Sequence, residues 1–169
     1  WLRFALTGGS DPEEVRGVSV TDNFFDVLGA AAERGQASDL AARRRDGGPR
    51  VVLSHGLWQS RFGASAAVVG TPVTLNDRPY TVVAVMPRSF DYPHGAALWT
   101  ISAFKVPEPP FDFGDNPERL RGAHYFDAIA RLRPDGTRAA DPESAVFRAA
   151  GGRTLTTHDV RLRAALLIL

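Results

Sequence analysis

Apolar and polar residues alternate from Val15 to Val20, the two-residue period of a strand. Ser10-Asp11-Pro12-Glu13 before it reads as a capped turn. Thr21 or Asn23 can cap a short helix carrying Phe24, Phe25, Val27 and Leu28, with Gly29 to close it. The polar, Gly-rich stretch from Ala30 to Pro49 reads as a mobile loop with Arg43, Arg44 and Arg45 solvated. Val51-Val52-Leu53 is a short buried strand, and Ser54 stands where a side-chain oxygen can cap the next helix. Trp58 and Phe62 lie four apart on one face of that helix, with Leu57 beside them and Gly63 to end it. Ala66 to Val69 makes a further turn, ended by Gly70.

A hairpin follows. Val73 and Leu75 mark its first strand, Asn76-Asp77 its turn, and Tyr80 to Met86 its second strand. Asn and Asp tolerate the positive φ of a tight hairpin. The second strand is apolar on both faces, which predicts a central strand covered on both sides. Pro87 ends it. Phe90 to Phe113 is rich in proline and aromatic residues, and only Leu98 to Ile101 reads as a strand. Ala123 to Leu132 alternates again, up to Pro134-Asp135-Gly136. Asp141-Pro142-Glu143 predicts a helix start, running to about Ala150 and stopping at Gly151-Gly152. The run Ala164 to Leu169 is wholly apolar; it reads as an amphipathic terminal helix or as the first turns of a truncated transmembrane helix.

The length of 169 residues suits one domain or two small lobes, and 44% hydrophobic with 23% charged residues is ordinary for a globular chain. A net charge of +1 argues against a nucleic-acid binder. With no cysteine, disulfide frameworks, Cys-ligated zinc and thiol catalysis all drop out. Lys105 is the only lysine and no Gly-Lys pair occurs, so there is no phosphate-binding P-loop; G-x-G-x-x-G is absent as well.

Val52-Leu53-Ser54-His55-Gly56 has the strand–serine–helix order of a hydrolase elbow, with Asp91 or Asp112 and then His124 or His158 as partners in hydrolase order. Such an elbow wants glycine two places before the serine, where Val52 stands, so Ser54 reads as a helix cap. His55, His94, His124 and His158 are far apart, and none forms a metal-binding pair at helical spacing. The acidic groups Asp11, Glu13 and Glu14, and Asp112 with Asp115, read as solvated loops.

Several segments, taken in order, resemble the MacB-like periplasmic core domain of FtsX-like ABC-transporter permeases. They are VSVTDNFFDVLG from Val18 to Gly29, VVLSHGLWQSRFG from Val51 to Gly63, and VGTPVTLNDRPYTVVAVMP from Val69 to Pro87. Phe90-Asp91-Tyr92-Pro93, Leu98-Trp99 and AIARLRP from Ala128 to Pro134 follow, so the resemblance runs from about Leu6 to Gly136. Asn76-Asp77 replaces the usual Asn-Gly, Ala84 stands where glycine is usual, and the part after Gly136 is short for the family.

The resemblance implies an α+β fold, a mixed sheet with short helices and a shortened C-terminal half. Residues 1–152 would be the partial core domain and residues 153–169 the run-in to a truncated membrane helix. It also implies a non-catalytic domain on the outer side of the bacterial cytoplasmic membrane. That domain would couple a cytoplasmic ABC ATPase to export or to periplasmic partners. The partners implied are the permease's own membrane helices, the ATPase, a periplasmic adaptor and a second copy in a dimeric transporter. No catalytic, metal or cofactor residues carry over; Phe24, Phe25, Leu57, Trp58, Phe62 and Tyr80 are expected as apolar anchors. Two other readings remain open: a secreted or surface binding module, and a hydrolase using Ser54.

Overall fold

The computed structural model describes residues 1–7, 12–21, 23–37, 48–102, 114, 127–129, 146–148, 154–156 and 165–167. The elements are β1 (Leu2–Thr7), β2 (Glu13–Val20), α1 (Phe24–Leu28), β3 (Arg34–Gly35), β4 (Arg50–Leu53) and α2 (His55–Phe62). A 3-10 turn at Ala66–Val68 leads to β5 (Pro72–Leu75), β6 (Arg78–Val85) and β7 (Leu98–Ile101). Short strands follow: β8 (Asp127–Ile129), β9 (Val146–Arg148), β10 (Thr154–Thr156) and β11 (Ala165–Leu167).

The sheet is mixed. Around it, β1 pairs with β5, β5 with β6, β6 with β4, β4 with β7 and β7 with β2. Because β2 also pairs with β1, these six strands close into a ring. β4 is parallel to β6, β2 is parallel to β7, and the other ring contacts are antiparallel. Closure leaves the ring strands no free edge where they pair on both sides.

A closed ring has an inside and an outside, and both are apolar here. Phe4, Leu6, Val15, Val51, Leu53, Val73, Leu75, Val82, Val85 and Leu98 form one buried cluster with Leu57, Trp58 and Val68 from α2 and the 3-10 turn. Val18, Val20, Val52, Ala84, Met86 and Trp99 form the other with Phe24, Phe25 and Val27 of α1. A regular strand would send Val82 and Ala84 to the same side. They fall in different clusters because the register slips by one residue between β4 and β6: Val51 is opposite Val82 but Val52 is opposite Ala84. This bulge puts Val83 and Ala84 together on the outer side and returns Val85 to the inner one.

Two polar details lock the ring. Asn76 and Asp77 both adopt positive φ (49° and 61°), as the hairpin turn requires. The Asn76 amide then reaches across to β1: its Oδ1 accepts the Ala5 N–H at 2.8 Å, and its Nδ2 donates to the Arg3 carbonyl at 3.4 Å. Its own N–H donates to the Ala5 carbonyl at 3.0 Å. The Asn-Asp turn therefore keeps the residue that also fastens β5 to β1.

The helices, hairpin and β7 match the sequence expectations. α1 ends at Gly29 in the left-handed region (φ 66°), and α2 ends at Gly63 (φ 57°). β6 is central, between β5 and β4, with apolar clusters on both faces. Four elements correct them. β1 precedes the first expected strand; its inward Phe4 and Leu6 alternate with exposed Arg3 and Ala5. Within the expected loop from Ala30 to Pro49, Arg34–Gly35 is a strand on β6. Gly35 has φ +71°, and a Cβ there would sit 2.2 Å from the Val83 carbonyl oxygen, so the strand fits the bulge only with glycine. Where a helix was expected up to Ala150, Val146–Arg148 pairs as a strand with Thr154–Thr156, because Val and Phe suit a ladder once a Thr-rich partner is present. Ala165–Leu167, expected as helix, is a strand beside β8 and touches β2 at Val20. Ala and Leu by themselves favour helix, and the open stretch of β2 edge overrides that preference. Arg43–Arg45 lie outside the described residues.

Gly17 is the tightest point of the ring. A Cβ on it would lie 2.5 Å from Leu98 Cδ1 and 2.8 Å from Phe4 Cε2. Gly17→Ala should therefore overpack the inner cluster and cost about 1–3 kcal/mol in chemical denaturation. Gly48→Ala, with nothing within 4 Å of the new methyl, should be close to neutral.

Candidate functional site

Ser54 sits where β4 ends and α2 begins, half-buried. Its backbone (φ −72°, ψ 157°) is ordinary extended chain, not the strained turn of a nucleophile elbow. Its Oγ accepts the Leu57 N–H at 3.2 Å, and its own N–H donates to the Ala97 carbonyl at 2.9 Å. The hydroxyl is thus the α2 cap the local sequence asks for. Val52, two places earlier, is wholly buried in the outer cluster.

The residues proposed as partners of Ser54 go elsewhere or fall outside the described residues. Asp91 folds its own loop: Oδ1 accepts the Gly95 N–H at 2.8 Å, and Oδ2 pairs with His94 Nδ1 at 2.5 Å. The Gly95 N–H, and next the His94 ring, hold the Asp91 carboxyl below its ordinary value of 3.8. Asp112, His124 and His158 lie outside the described residues, as does Asp115. His55, the first residue of α2, faces Glu33 at 3.7 Å and meets the Trp58 ring edge-on at 5.5 Å. Among the described residues no group of three His, Asp or Glu side chains could hold a metal ion.

Aromatic packing takes up most of the remaining special residues. The loop after β6 lays Phe90 against Phe25 and Trp99, with ring centroids at 5.7 and 5.4 Å, and stacks Tyr92 on Phe24 at 6.3 Å. Trp99 Nε1 donates to the Tyr92 carbonyl at 3.1 Å, so this loop is fastened over the outer cluster. Trp58 Nε1 donates to the Ser65 carbonyl at 2.9 Å, and the Arg34 guanidinium lies 5.8 Å over its ring. Of the six residues expected as apolar anchors, Phe24, Phe25, Leu57 and Trp58 are core, and Phe62 and Tyr80 pack against the inner cluster half-buried.

The outer face of the β1–β2 hairpin carries no motif in the sequence. Trp1 is 38% exposed and the Arg16 guanidinium lies 5.3 Å over its ring. Arg3, directly opposite Arg16, pairs with Glu14 at 2.8 Å. Alternation of Leu2, Phe4 and Leu6 was the available signal, since it turns Trp1 and Arg3 outward together.

The family model of the MacB-like periplasmic core domain matches residues 2–104 of the chain. No curated protein matches it. Among solved structures, the extracellular domain of the noncanonic ABC-type transporter YknZ from Gram-positive bacteria aligns with TM-score 0.44 and 13% identity, over 59% of this chain and 50% of that one. The periplasmic region of MacB from Actinobacillus actinomycetemcomitans aligns with TM-score 0.40 and 21% identity, over 60% of this chain and 44% of that one. The chain spans about half the length of these two structures.

Two measurements test these assignments. Ser54→Ala should lower stability by about 1 kcal/mol in thermal or chemical denaturation, and Ser54→Asp, which restores a cap acceptor, should recover most of it. A nucleophilic serine would instead reveal itself as ester turnover by the wild type that both variants lose. For Asp91, a depressed carboxyl contributes to loop order above its unfolded value, and that contribution fades as pH falls through the folded value. NMR titration should place Asp91 below 3.8. His94→Ala should leave part of the depression, because the Gly95 N–H is the larger cause.

Proposed function

Because the chain belongs to the family of MacB-like periplasmic core domains, we propose that it serves as the extracytoplasmic domain of an ABC-transporter permease of the FtsX-like class. The carrying observation is where the family match falls. Residues 2–104 contain all seven strands β1–β7, and therefore the whole closed ring with both of its apolar clusters. The family match ends at residue 104, just past the ring and short of Gly136, where the resemblance read from residue patterns ended.

The position of the strands supports an insertion between two membrane spans. Gly17 of β2 is opposite Leu2 on one edge and Leu98 on the other. β7 keeps its edge as far as Val20, so Leu167, also opposite Val20, lies on the edge β1 uses. The first strand and the last described strand thus meet β2 three residues apart, about 10 Å. A domain entered and left at neighbouring points can hang from two adjacent membrane helices. Among the described residues no helix is itself long and apolar enough to cross a membrane. In this reading residues 1–152 form the core, and residues 153–169, whose strands β10 and β11 pair with β9 and with β8 and β2, lead toward the second span.

Such a domain would work as a lever, not as an enzyme. Two tightly packed apolar layers sharing one ring transmit strain with little compliance. In the proposed role this rigidity carries motion from a cytoplasmic ATPase, through the membrane helices, to an adaptor or cargo outside, in a dimeric transporter.

Topology mapping of the full gene tests the proposal. Reporter fusions within residues 15–135 should place this region outside the cytoplasmic membrane. A cytoplasmic location would refute the reading. An exported gene product without hydrophobic spans would replace it with a secreted binding module.

A further inference from the structure

We propose that the outer face of the β1–β2 hairpin, Trp1 with Arg3 and Arg16, is a contact for anionic lipid headgroups. The inference rests on the permease reading above and adds which surface meets the bilayer.

The starting point is an arrangement that folding alone does not favour. Arg3 and Arg16 are directly opposite each other across the antiparallel pair, and both are exposed. Like charges directly opposite on one sheet face are destabilising. The two guanidiniums lean apart: Arg3, its side chain 74% exposed, to Glu14, and Arg16 to the face of Trp1. Glu14 answers one of the two charges. Among the described residues, the neighbour of the other is an aromatic ring. A phosphate placed between them would turn the repulsion into attraction, since guanidinium groups match phosphate with paired hydrogen bonds.

The tryptophan selects a lipid source for that phosphate. Trp1 is one of two large apolar side chains among the described residues that stand well out of the fold. Indole rings favour the headgroup level of a bilayer, where the ring is half in apolar surroundings and its N–H stays hydrated. The face also lies at the right place. Trp1 directly precedes β1, on the β2 edge that β11 reaches at Val20, so it sits where a membrane-tethered chain would enter and leave the fold.

The test uses the 169-residue chain and two kinds of vesicle: pure phosphatidylcholine, and phosphatidylcholine with phosphatidylglycerol. Co-sedimentation should show binding to the phosphatidylglycerol vesicles only, weakening as salt rises. Arg3→Gln with Arg16→Gln should raise the lipid concentration for half-binding roughly ten-fold or more. Without lipid, that double variant should melt close to the wild type, because relief of the like-charge pair offsets loss of the exposed Arg3–Glu14 pair and of the Arg16–Trp1 contact. Trp1→Ala, outside both cores, should weaken binding separately. Arg78→Gln with Arg88→Gln removes the same charge from exposed positions elsewhere and should leave binding unchanged. Absence of wild-type binding, equal binding by the Arg3/Arg16 variant, or equal loss in the Arg78/Arg88 control would overturn the proposal. Any of these outcomes leaves the topology result, and with it the permease reading, standing.

Discussion

Closure of β1 onto both β2 and β5 is the constraint on which the other features depend. Six strands that end in one another have few exposed ladder groups, but they enclose a space that must be filled. The inward residues of β1, β2, β4, β5 and β6 fill it with Phe, Leu and Val, and α2 closes over it with Leu57 and Trp58. The filling leaves so little room that Gly17 must have no side chain between Leu98 and Phe4. At the opposite joint, Asn76 supplies through its amide the hydrogen bonds that β1 would otherwise lack beside the turn.

The outer layer follows from the same closure. Once the ring's inside is sealed, the apolar outward residues of β2, β4, β6 and β7 need a cover, and α1 with the Phe90–Tyr92 loop supplies it. The bulge at Val83 lets β6 serve both layers. It also creates the close approach that Gly35 fills, so Arg34–Gly35 pairs with β6 there. Glu33 and Arg34 then reach α2 through His55 and Trp58. Among the described residues, the chemically suggestive ones are thus occupied with structure: Ser54 in a cap, Asp91 and His94 in a loop, and His55 in a contact between elements. A body built this way suits the mechanical role proposed for it.

The proposed lipid contact uses outward-facing residues, and these were the least legible in the sequence. Ser54 drew attention because strand–serine–helix is a recognisable order. Its buried valine two places earlier was already enough to read it as a cap. Trp1, Arg3 and Arg16 attracted none, because a tryptophan and two arginines in separate strands form no motif. Their proximity appears only when antiparallel pairing sets Arg3 opposite Arg16.

By itself the amino-acid sequence determined the local elements whose signals are local: the Ser54 cap, the Gly29 and Gly63 stops, the Asn76-Asp77 turn and the doubly covered strand β6. Ordered together, those signals also pointed to the family. Tertiary structure alone decided ring closure, the Val83 bulge, the strand at Arg34–Gly35, and the strand state of Val146–Arg148 and Ala165–Leu167. The physical reason is common to all of these. A helix satisfies its backbone hydrogen bonds within a few residues, so its start and stop are written nearby. A strand satisfies them with a distant partner, and a short segment such as Ala-Leu-Leu takes whichever state an available edge imposes.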